Sequence, residues 1–465
     1  MTPSTTASTD TKLITLMVTL VLFSPLAIDI YLPAFPAIAD SFGVNAVRVQ
    51  DTVTWFMFSL GLGQLLAGPL ADRFGRRPIA LAGIVIYGFS ALMAYLAASL
   101  DMLLAARLLQ GFGACATSVA AFSAVRDSFG AEKSGRMISY LNGAICFIPA
   151  LAPLLGTWLT HEFGWRSNFS FMAGFALVAG IFVMMMFKET RPADTHISGS
   201  TLSLSRYWSV LREPTFLYHA SLCMLAMAVI LAYVTSAPVW LMSHLGADMN
   251  QFTLWFGINA ALNITACMVA PKFMDHFGTR ATLQTGLIIL AVAGGLMLGL
   301  SSINQAWAFM TPIFICSFGF AFVLGSSAGK ALAPFGDRAG TAAALLGLFQ
   351  MSGAGVMVSL TQRLDLTTPM LMTGFIFRCV LDYGCCTSEE GDDFERHCWI
   401  TNPLIMNNSP MIVEAAICSP MMVANNSSEI NGEIKIKLLI RAVLAVKRSA
   451  LSHKTKVIPI SNKPT

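Results

Sequence analysis

Two charged residues inside apolar stretches are the first candidates for chemistry in this sequence. Asp29 lies within the apolar stretch 13–35, and Arg107 lies early in the stretch 102–124. A carboxylate inside a membrane costs roughly 2.5–3.5 kcal/mol on insertion scales, so such a residue usually has a function. Asp29 could exchange a proton or bind a substrate, whereas Arg107 stays charged and could only tune a neighbouring carboxyl or hold a water. The structural alternatives are a capping role for Asp29 near Pro33 and an arginine that reaches the membrane surface.

Polar and aromatic residues in other stretches could complete a pocket around these two charges. Gln110 follows Arg107 by three residues, so the two would share one face of a helix. Ordinary packing or a place at the membrane interface remains the alternative for each aromatic residue. The pocket candidates are Tyr31, Gln64, Gln110, Asn142, Tyr233, Asn259 and Asn263.

A dense cluster of charge, residues 68–78, separates the apolar stretches 51–71 and 79–99. Its glycines and prolines predict a sharp turn. An acid here could meet a helix N-terminus or an arginine across the bundle and act as a conformational latch, while the arginines could equally serve only to hold the loop on one side. The residues of this predicted gating loop are Gly68, Asp72, Arg73, Gly75, Arg76 and Arg77.

A weaker copy of the gating loop occurs at residues 271–280. It repeats the acid and glycine spacing with Asp275 and Gly278, and it ends on Arg280. Both loops follow the second apolar stretch of their half. The repeat therefore predicts two related halves.

Long apolar helices must position these residues. The chain has 465 residues, of which 55% are hydrophobic and 12% charged, whereas a soluble chain carries about 25% charge. Repeated apolar stretches close to the length of a membrane span predict an all-α polytopic membrane protein. A twelfth stretch begins near 370 and ends near 381, where Arg378 and Asp382 interrupt it. The eleven convincing stretches are 13–35, 51–71, 79–99, 102–124, 137–160, 167–187, 215–242, 252–272, 281–301, 306–328 and 339–361.

Lysine and arginine in the connections predict the orientation. If the N-terminus is inside, 15 of them fall in inner connections, and only Arg48, Arg166 and Arg363 fall in outer ones. This is a strong positive-inside signal, and it predicts a cytoplasmic N-terminus. The predicted organisation is an N-terminal six-helix bundle at 1–187, a cytoplasmic central loop at 188–212, a C-terminal bundle at 213–381 and a polar tail at 382–465.

Three motifs carry a resemblance that covers about residues 13–375. Residues 68–78 resemble the loop signature of the major facilitator superfamily, and Leu103–Ala114 resembles the helix-four motif of its proton-coupled members. Ala27–Pro33 resembles the helix-one motif of the twelve-span drug:proton antiporters, and the closest likeness is to the bicyclomycin/chloramphenicol-resistance branch. The resemblance implies two six-helix bundles, export of drug-like molecules against protons, and a role for Asp29 and Arg107 in that exchange.

The helix-five motif of these antiporters is only partly present. Pro149, Pro153 and Gly156 remain, which implies that the kink of helix five is kept. Ala152 and Leu155 stand where the family usually has glycine. This departure weakens the implied direction of transport.

The energy source implied is a proton gradient without a cofactor. The stretch 325–331 lacks the phosphate-loop pattern, the histidines lack metal spacing, and no basic patch suggests nucleic acid. The expected partners are the bilayer of the cell inner membrane, a small amphipathic substrate and protons, and the chain is expected to be a monomer. The alternatives are a transporter of a metabolite such as a nucleoside or sugar, and an inactive, truncated transporter.

The composition changes near residue 378. Residues 378–465 hold 19 charged residues, against 35 in the first 377, and half of the ten cysteines. The change falls inside the expected twelfth span. A frameshifted end, a genuine cytosolic extension and a small metal or redox module are the three interpretations.

Overall fold

The structure is a computed structural model, and it describes residues 4–191, 204–335, 339–363 and 368–386. Every regular element in these ranges is helical, and all of them belong to one compact unit. The α-helices are α1 Ser4–Val21, α2 Phe23–Asp29, α3 Phe35–Phe42, α4 Ala46–Phe74, α5 Arg76–Tyr95, α6 Leu100–Phe163, α7 Arg166–Met186, α8 Leu204–Leu211, α9 Pro214–Pro238, α10 Met249–Leu300, α11 Ala306–Leu332, α12 Ala339–Leu348, α13 Ala354–Gln362 and α14 Thr368–Cys386.

The described ranges contain ten helical stretches that are long and apolar enough to cross a membrane. One of them, α10, has 52 residues and breaks at Gly278, where φ is +82°. Since a span needs about 20 residues, α10 supplies two spans. The structure therefore has the eleven spans that the sequence predicts.

The first predicted span is not one helix. It consists of α1, α2, a short 3₁₀ turn at Leu32–Ala34 and α3, and its apolar part reaches Phe42 rather than 35. Pro33 and Pro36 lack the N–H groups that would continue the helical hydrogen bonds. The break therefore falls directly after Asp29, the residue in which α2 ends.

Two connections also differ from the prediction. α4 continues through Gly68 and Pro69 as far as Phe74, so the turn predicted over 68–78 is confined to Gly75, where φ is +102°. The connection predicted between helices four and five is helical, because α6 runs from Leu100 to Phe163 and contains both apolar spans. A helix can cross a polar connection when no residue there requires another backbone conformation.

The central segment predicted as a loop contains one helix in its described part. In α8, the Tyr207 hydroxyl donates to the carbonyl oxygen of Leu65 at 2.9 Å, and Val210 is buried against the second half of the chain. The end of the central segment is therefore packed against both halves.

The helix in the twelfth position is α14. It has 19 residues, but its apolar part ends at Val380, which leaves it shorter than the other spans. It packs against α9 and α10. The predicted polar tail lies outside the described residues from position 387 onward.

α4 and α6 make most of the contacts of the first half with the second half. α4 packs against α12, α13 and the π-helical turn Phe349–Gly353 between them, where Ser352 Oγ donates to the carbonyl oxygen of Phe58 at 2.6 Å. α6 packs against α10, where the hydroxyls of Thr157 and Thr253 lie 2.7 Å apart. These two pairs form the contact across which the halves would have to move.

Candidate functional site

The break in the first span brings its backbone carbonyls against α6. Gly156 lies directly on the carbonyl of Ile30, and a Cβ at this glycine would overlap with that carbonyl. Pro33 cannot donate to the carbonyl of Asp29 four residues earlier, so the chain leaves helical geometry here. The glycine thus allows a close approach of two backbones at the point where Asp29 ends its helix.

Arg107 fixes three elements around this break. It is fully buried on α6, and its Nη2 donates to the carbonyl oxygen of Ala27 at 2.7 Å. Its Nε donates to the carbonyl oxygen of Thr52 at 3.4 Å, and its Nη1 donates to the side-chain oxygen of Gln110. The guanidinium therefore joins α2, α4 and α6. Its hydrogen bonds go to neutral carbonyl oxygens rather than to a carboxylate.

Two aromatic rings enclose the guanidinium of Arg107. Its carbon atom Cζ lies 4.7 Å from the ring centre of Tyr31 and 4.5 Å from that of Phe56. A cation over an aromatic face is attracted by the ring's quadrupole, the more so away from water. The Tyr31 hydroxyl lies 2.8 Å from the Thr52 hydroxyl, which donates to the carbonyl oxygen of Val49 at 2.6 Å.

Asp29 is buried beside this cluster, with 4% of its surface exposed. Within the described part of the chain it has no ion-pair partner and no hydrogen bond from a side chain. The structure thus answers a question the sequence left open: Arg107 does not pair with Asp29 but binds the carbonyl of Ala27, two residues earlier. A buried carboxylate without a compensating charge is unfavourable, so this site favours the binding of a proton or a cation.

The second half contributes neutral groups near Asp29. Tyr233 on α9 is buried, lies within electrostatic range of Asp29, and stacks on Phe256 with ring centres 5.6 Å apart. The amide of Asn259 is the nearest polar group described for Tyr233. The Tyr233 hydroxyl nevertheless has no hydrogen-bond partner among the described residues. Asn259 instead accepts a hydrogen bond from the Ser317 hydroxyl at 2.9 Å.

The other predicted pocket residues lie away from this cluster. Gln64 packs directly against Gly347 where the two halves meet, and a Cβ at that glycine would overlap with the amide. Asn263 on α10 accepts a weak hydrogen bond from the Cys267 thiol at 3.8 Å. Asn142 is exposed, near the start of the second apolar span of α6.

The predicted gating loop is held by ion pairs within the first half. Arg76 is buried, and its Nε donates to Asp127 Oδ2 at 2.8 Å while its Nη1 donates to Asp72 Oδ1 at 2.7 Å. Arg77 Nη2 donates to the carbonyl oxygen of Met184 at 2.7 Å. Asp72 therefore pairs inside its own loop in this conformation.

Arg73 and Gly68 are two further members of the loop. The Arg73 guanidinium lies over the ring of Phe74 at 5.4 Å. Gly68 is not required for a close contact, because no atom lies within 4 Å of a Cβ built on it.

The start of the central segment binds both sides of the Gly75 turn, a contact that the sequence analysis did not predict. Glu189 accepts hydrogen bonds from the backbone N–H groups of Arg76 at 2.9 Å and Arg77 at 3.2 Å, and so caps the N-terminus of α5. Arg191 Nη1 donates to the carbonyl oxygen of Arg73 at 2.6 Å, at the C-terminal end of α4. Glycine is required at position 75, because a Cβ there would collide with the Glu189 carboxylate.

The Glu189 carboxylate is stabilised in its charged form. Partial burial raises its pKa, but hydrogen bonds from the backbone N–H groups of Arg191, Arg76, Arg77 and Thr190 outweigh that effect, so its pKa lies below the ordinary value. The sequence gives no signal for these contacts of Glu189, because acids contribute little to membrane topology. The same holds for Asp127.

The weaker copy of the gating loop lacks this network. Gly278 makes the turn, but Asp275 and Arg280 are exposed and form no ion pair with any residue that the structure describes. The two loops thus share backbone geometry but differ in their side-chain contacts.

The three residues of the predicted helix-five kink lie in α6. Pro149 and Pro153 are inside the helix, which continues through them to Phe163. Gly156 is the member of the set with a demanding contact, the carbonyl of Ile30.

A bundle of apolar spans with buried charges at a broken helix is the architecture of a membrane transporter rather than an enzyme. The sequence matches the Major Facilitator Superfamily across residues 17–358, and the chain belongs to that family. It is 30% identical over 366 residues to the multidrug resistance protein MdtL of Klebsiella pneumoniae (strain 342), an alignment that covers 77% of this chain and 91% of that protein.

Solved structures share the fold at low sequence identity. A D-xylose–proton symporter superposes with a TM-score of 0.65 and 14% identity, covering 80% of this chain and 97% of the symporter. The human organic anion transporter MFSD10 gives a TM-score of 0.61 and 18% identity, covering 83% of this chain and 99% of the transporter. The predicted major facilitator fold is confirmed.

Proposed function

We propose that this protein exports small amphipathic drug-like molecules in exchange for protons, and that Asp29 carries the exchange. The observation that supports this most is the burial of Asp29 at a helix break without a compensating cation. Similarity to a relative named a multidrug resistance protein supports the substrate class and the direction.

The exchange follows from charge balance at Asp29. An unpaired carboxylate in a low-dielectric interior is unfavourable, so the site favours either a proton or a cationic group of a substrate. The two compete for one carboxyl, and binding of one releases the other. Tyr233 and Phe256 would supply the apolar wall that an amphipathic molecule needs.

Arg107 acts in this proposal by positioning. Its donors already bind the carbonyl oxygens of Ala27 and Thr52 and the side chain of Gln110. It therefore holds the broken end of α2 in place beside Asp29.

We further place the protein as a monomer in the inner membrane, with its N-terminus and the gating loop on the cytoplasmic side. The asymmetric distribution of lysine and arginine supports this orientation. The substitution Arg73→Cys places a thiol at an exposed position of the loop for labelling from one side of sealed vesicles. Labelling of that thiol from the periplasmic side would contradict the orientation.

The decisive test is the substitution Asp29→Asn in proteoliposomes with an imposed pH gradient. The amide keeps the size of the side chain but cannot carry a proton or a negative charge, so we expect coupled efflux of the cation ethidium to be abolished. Drug-induced proton release, followed with an interior pH dye, should vanish with it.

A matched control is Asp40→Asn, the same change at an exposed position in α3. It should leave efflux unchanged. Unaltered efflux in Asp29→Asn, with protein amounts in the vesicles equal to wild type, would exclude the role of Asp29. A wild-type protein that does not transport ethidium in either direction would contradict the export of cationic drug-like molecules.

A further inference from the structure

α8 lies where the chain enters the membrane. It ends at Leu211, and the membrane-crossing stretch that contains α9 begins at Pro214. Three residue steps span at most about 11 Å. The last turn of α8 therefore lies at the surface of the membrane.

One side of α8 is covered by the rest of the protein. Val210 is buried among apolar side chains of the second half, and the Tyr207 hydroxyl donates to the carbonyl oxygen of Leu65 in the first half at 2.9 Å. Because these contacts come from both halves, they fix which side of α8 faces outward.

The outward side of α8 combines an aromatic ring with two cationic side chains. Trp208 is 55% exposed, and Arg206 and Arg212 are exposed as well. The backbone N–H of Arg212 donates to the carbonyl oxygen of Trp208 at 3.1 Å, and the Arg212 guanidinium lies over the indole ring, 5.4 Å from its centre. Within the part of the chain that the structure describes, neither arginine forms an ion pair, not even Arg212 with the adjacent Glu213.

We propose that this outward side, formed by Arg206, Trp208 and Arg212, binds the phosphate group of an anionic phospholipid. A guanidinium stacked on an aromatic ring keeps its N–H groups at the edge of its plane, where two of them can donate to one phosphate. Tryptophan is favoured at the level of the lipid headgroups, and basic side chains next to a membrane span are attracted by anionic lipids. The inference does not depend on what the protein transports.

The chemistry of this surface favours an anionic lipid over other occupants. A zwitterionic headgroup carries its own cation beside the phosphate, so it offers the two arginines no net negative charge. A soluble phosphate ion would leave the indole of Trp208 in water, whereas a lipid also covers the ring with its glycerol and upper acyl chain. Each arginine near an anionic membrane contributes roughly fivefold in affinity, so the pair contributes roughly 30-fold.

The test measures contact between lipid and Trp208 by fluorescence quenching. The full-length chain is placed in phosphatidylcholine vesicles that contain brominated phosphatidylglycerol or, at the same mole fraction, brominated phosphatidylcholine. Since the chain has eight tryptophans, the signal of Trp208 is the difference between wild type and Trp208→Phe. We expect phosphatidylglycerol to quench Trp208 several-fold more than phosphatidylcholine does, and equal quenching by the two lipids would overturn the proposal.

Arginine variants show whether α8 itself selects the lipid, each measured against its own Trp208→Phe counterpart. Arg206→Gln combined with Arg212→Gln should abolish the preference for phosphatidylglycerol, whereas lysine at both positions keeps the charges and should keep most of it. Size-exclusion profiles identical to wild type establish that the variants are folded. A preference that survives both glutamine substitutions would exclude the arginines as ligands.

The matched control removes two charges elsewhere. Lys272→Gln combined with Arg280→Gln changes exposed positions in the weaker copy of the gating loop and should keep the preference. An equal loss in this control would mean that net charge alone attracts the lipid, and it would overturn the site on α8. Inorganic phosphate, compared with sodium chloride at the same ionic strength, should leave the quenching unchanged, and displacement of the lipid by phosphate would assign the site to a free anion instead.

Discussion

The contact between Gly156 and the carbonyl of Ile30 predicts that adding one methyl group at position 156 destabilises the protein. In Gly156→Ala, the new Cβ overlaps with that carbonyl, which belongs to the backbone and cannot rotate away. Either α6 or the broken end of α2 must shift. We expect the variant to be less stable than wild type.

The magnitude follows from two opposing effects. Replacing glycine by alanine inside a helix stabilises it by about 0.5–1 kcal/mol. Overpacking a close contact costs about 1–3 kcal/mol. The expected net loss is therefore up to about 2.5 kcal/mol, with a midpoint of about 1 kcal/mol, and it is concentrated next to Asp29.

Gly143 provides the matched control, since it lies in the same helix and a Cβ there meets no atom within 4 Å. Gly143→Ala should raise stability by about 0.5–1 kcal/mol. Both variants are compared with wild type by thermal melting of the detergent-solubilised protein, followed by size-exclusion chromatography. If Gly156→Ala raised the melting temperature as much as Gly143→Ala, the close backbone contact at Ile30 would be refuted.

Two further predictions concern the charged residues. Arg107→Lys keeps the charge but cannot reach Ala27 and Gln110 together, so the loss of one charge-assisted hydrogen bond should cost about 1.5–3 kcal/mol; an unchanged melting temperature would contradict the bridging role. The pKa of Glu189 is lowered in the folded protein, so its contribution is present above the pKa of the unfolded chain and is lost as the pH falls through the folded value. We expect Glu189→Gln to melt below wild type at pH 7, by less than about 1 kcal/mol because the group is exposed, and the difference to disappear in acid; a difference that grows on acidification would refute the capping role.

The sequence predicts the spans well because membrane crossing depends on local composition. Each span must be long and apolar, and both properties are visible in any window of the chain. The break after Asp29 was not predicted, although Pro33 and Pro36 stand beside it. The continuous helix through residues 125–136 was not predicted either, because a charged connection carries no local signal that distinguishes a turn from a helix.

The contacts of the site could be predicted only in part. Arg107 and Gln110 share a face at helical spacing, and the structure joins them. The partner of the arginine, the carbonyl of Ala27, lies 80 residues away and has no side-chain signature. Such backbone acceptors depend on how helices pack, which one sequence does not reveal.

The two halves differ in whether they contain buried charged side chains. Within the described residues, the buried Asp, Glu, Lys and Arg side chains are Asp29, Arg76 and Arg107, and all belong to the first half. The second half faces this site with Tyr233 and Asn259, which are neutral. A repeat that kept two copies of the charge site would have to stabilise two buried carboxylates, at a cost that rises with each unpaired charge.

Because the buried charges lie in the first half, the short apolar part of α14 affects only the neutral residues near the site. α14 packs against α9 and α10, the helices that carry Tyr233 and Asn259, and both belong to the second half. The contacts of Arg107 that hold the broken end of α2 beside Asp29 come from α2, α4 and α6. A shortened twelfth span therefore weakens the packing behind Tyr233 and Asn259. It does not change the surroundings of Asp29, because those are built by α2, α4 and α6.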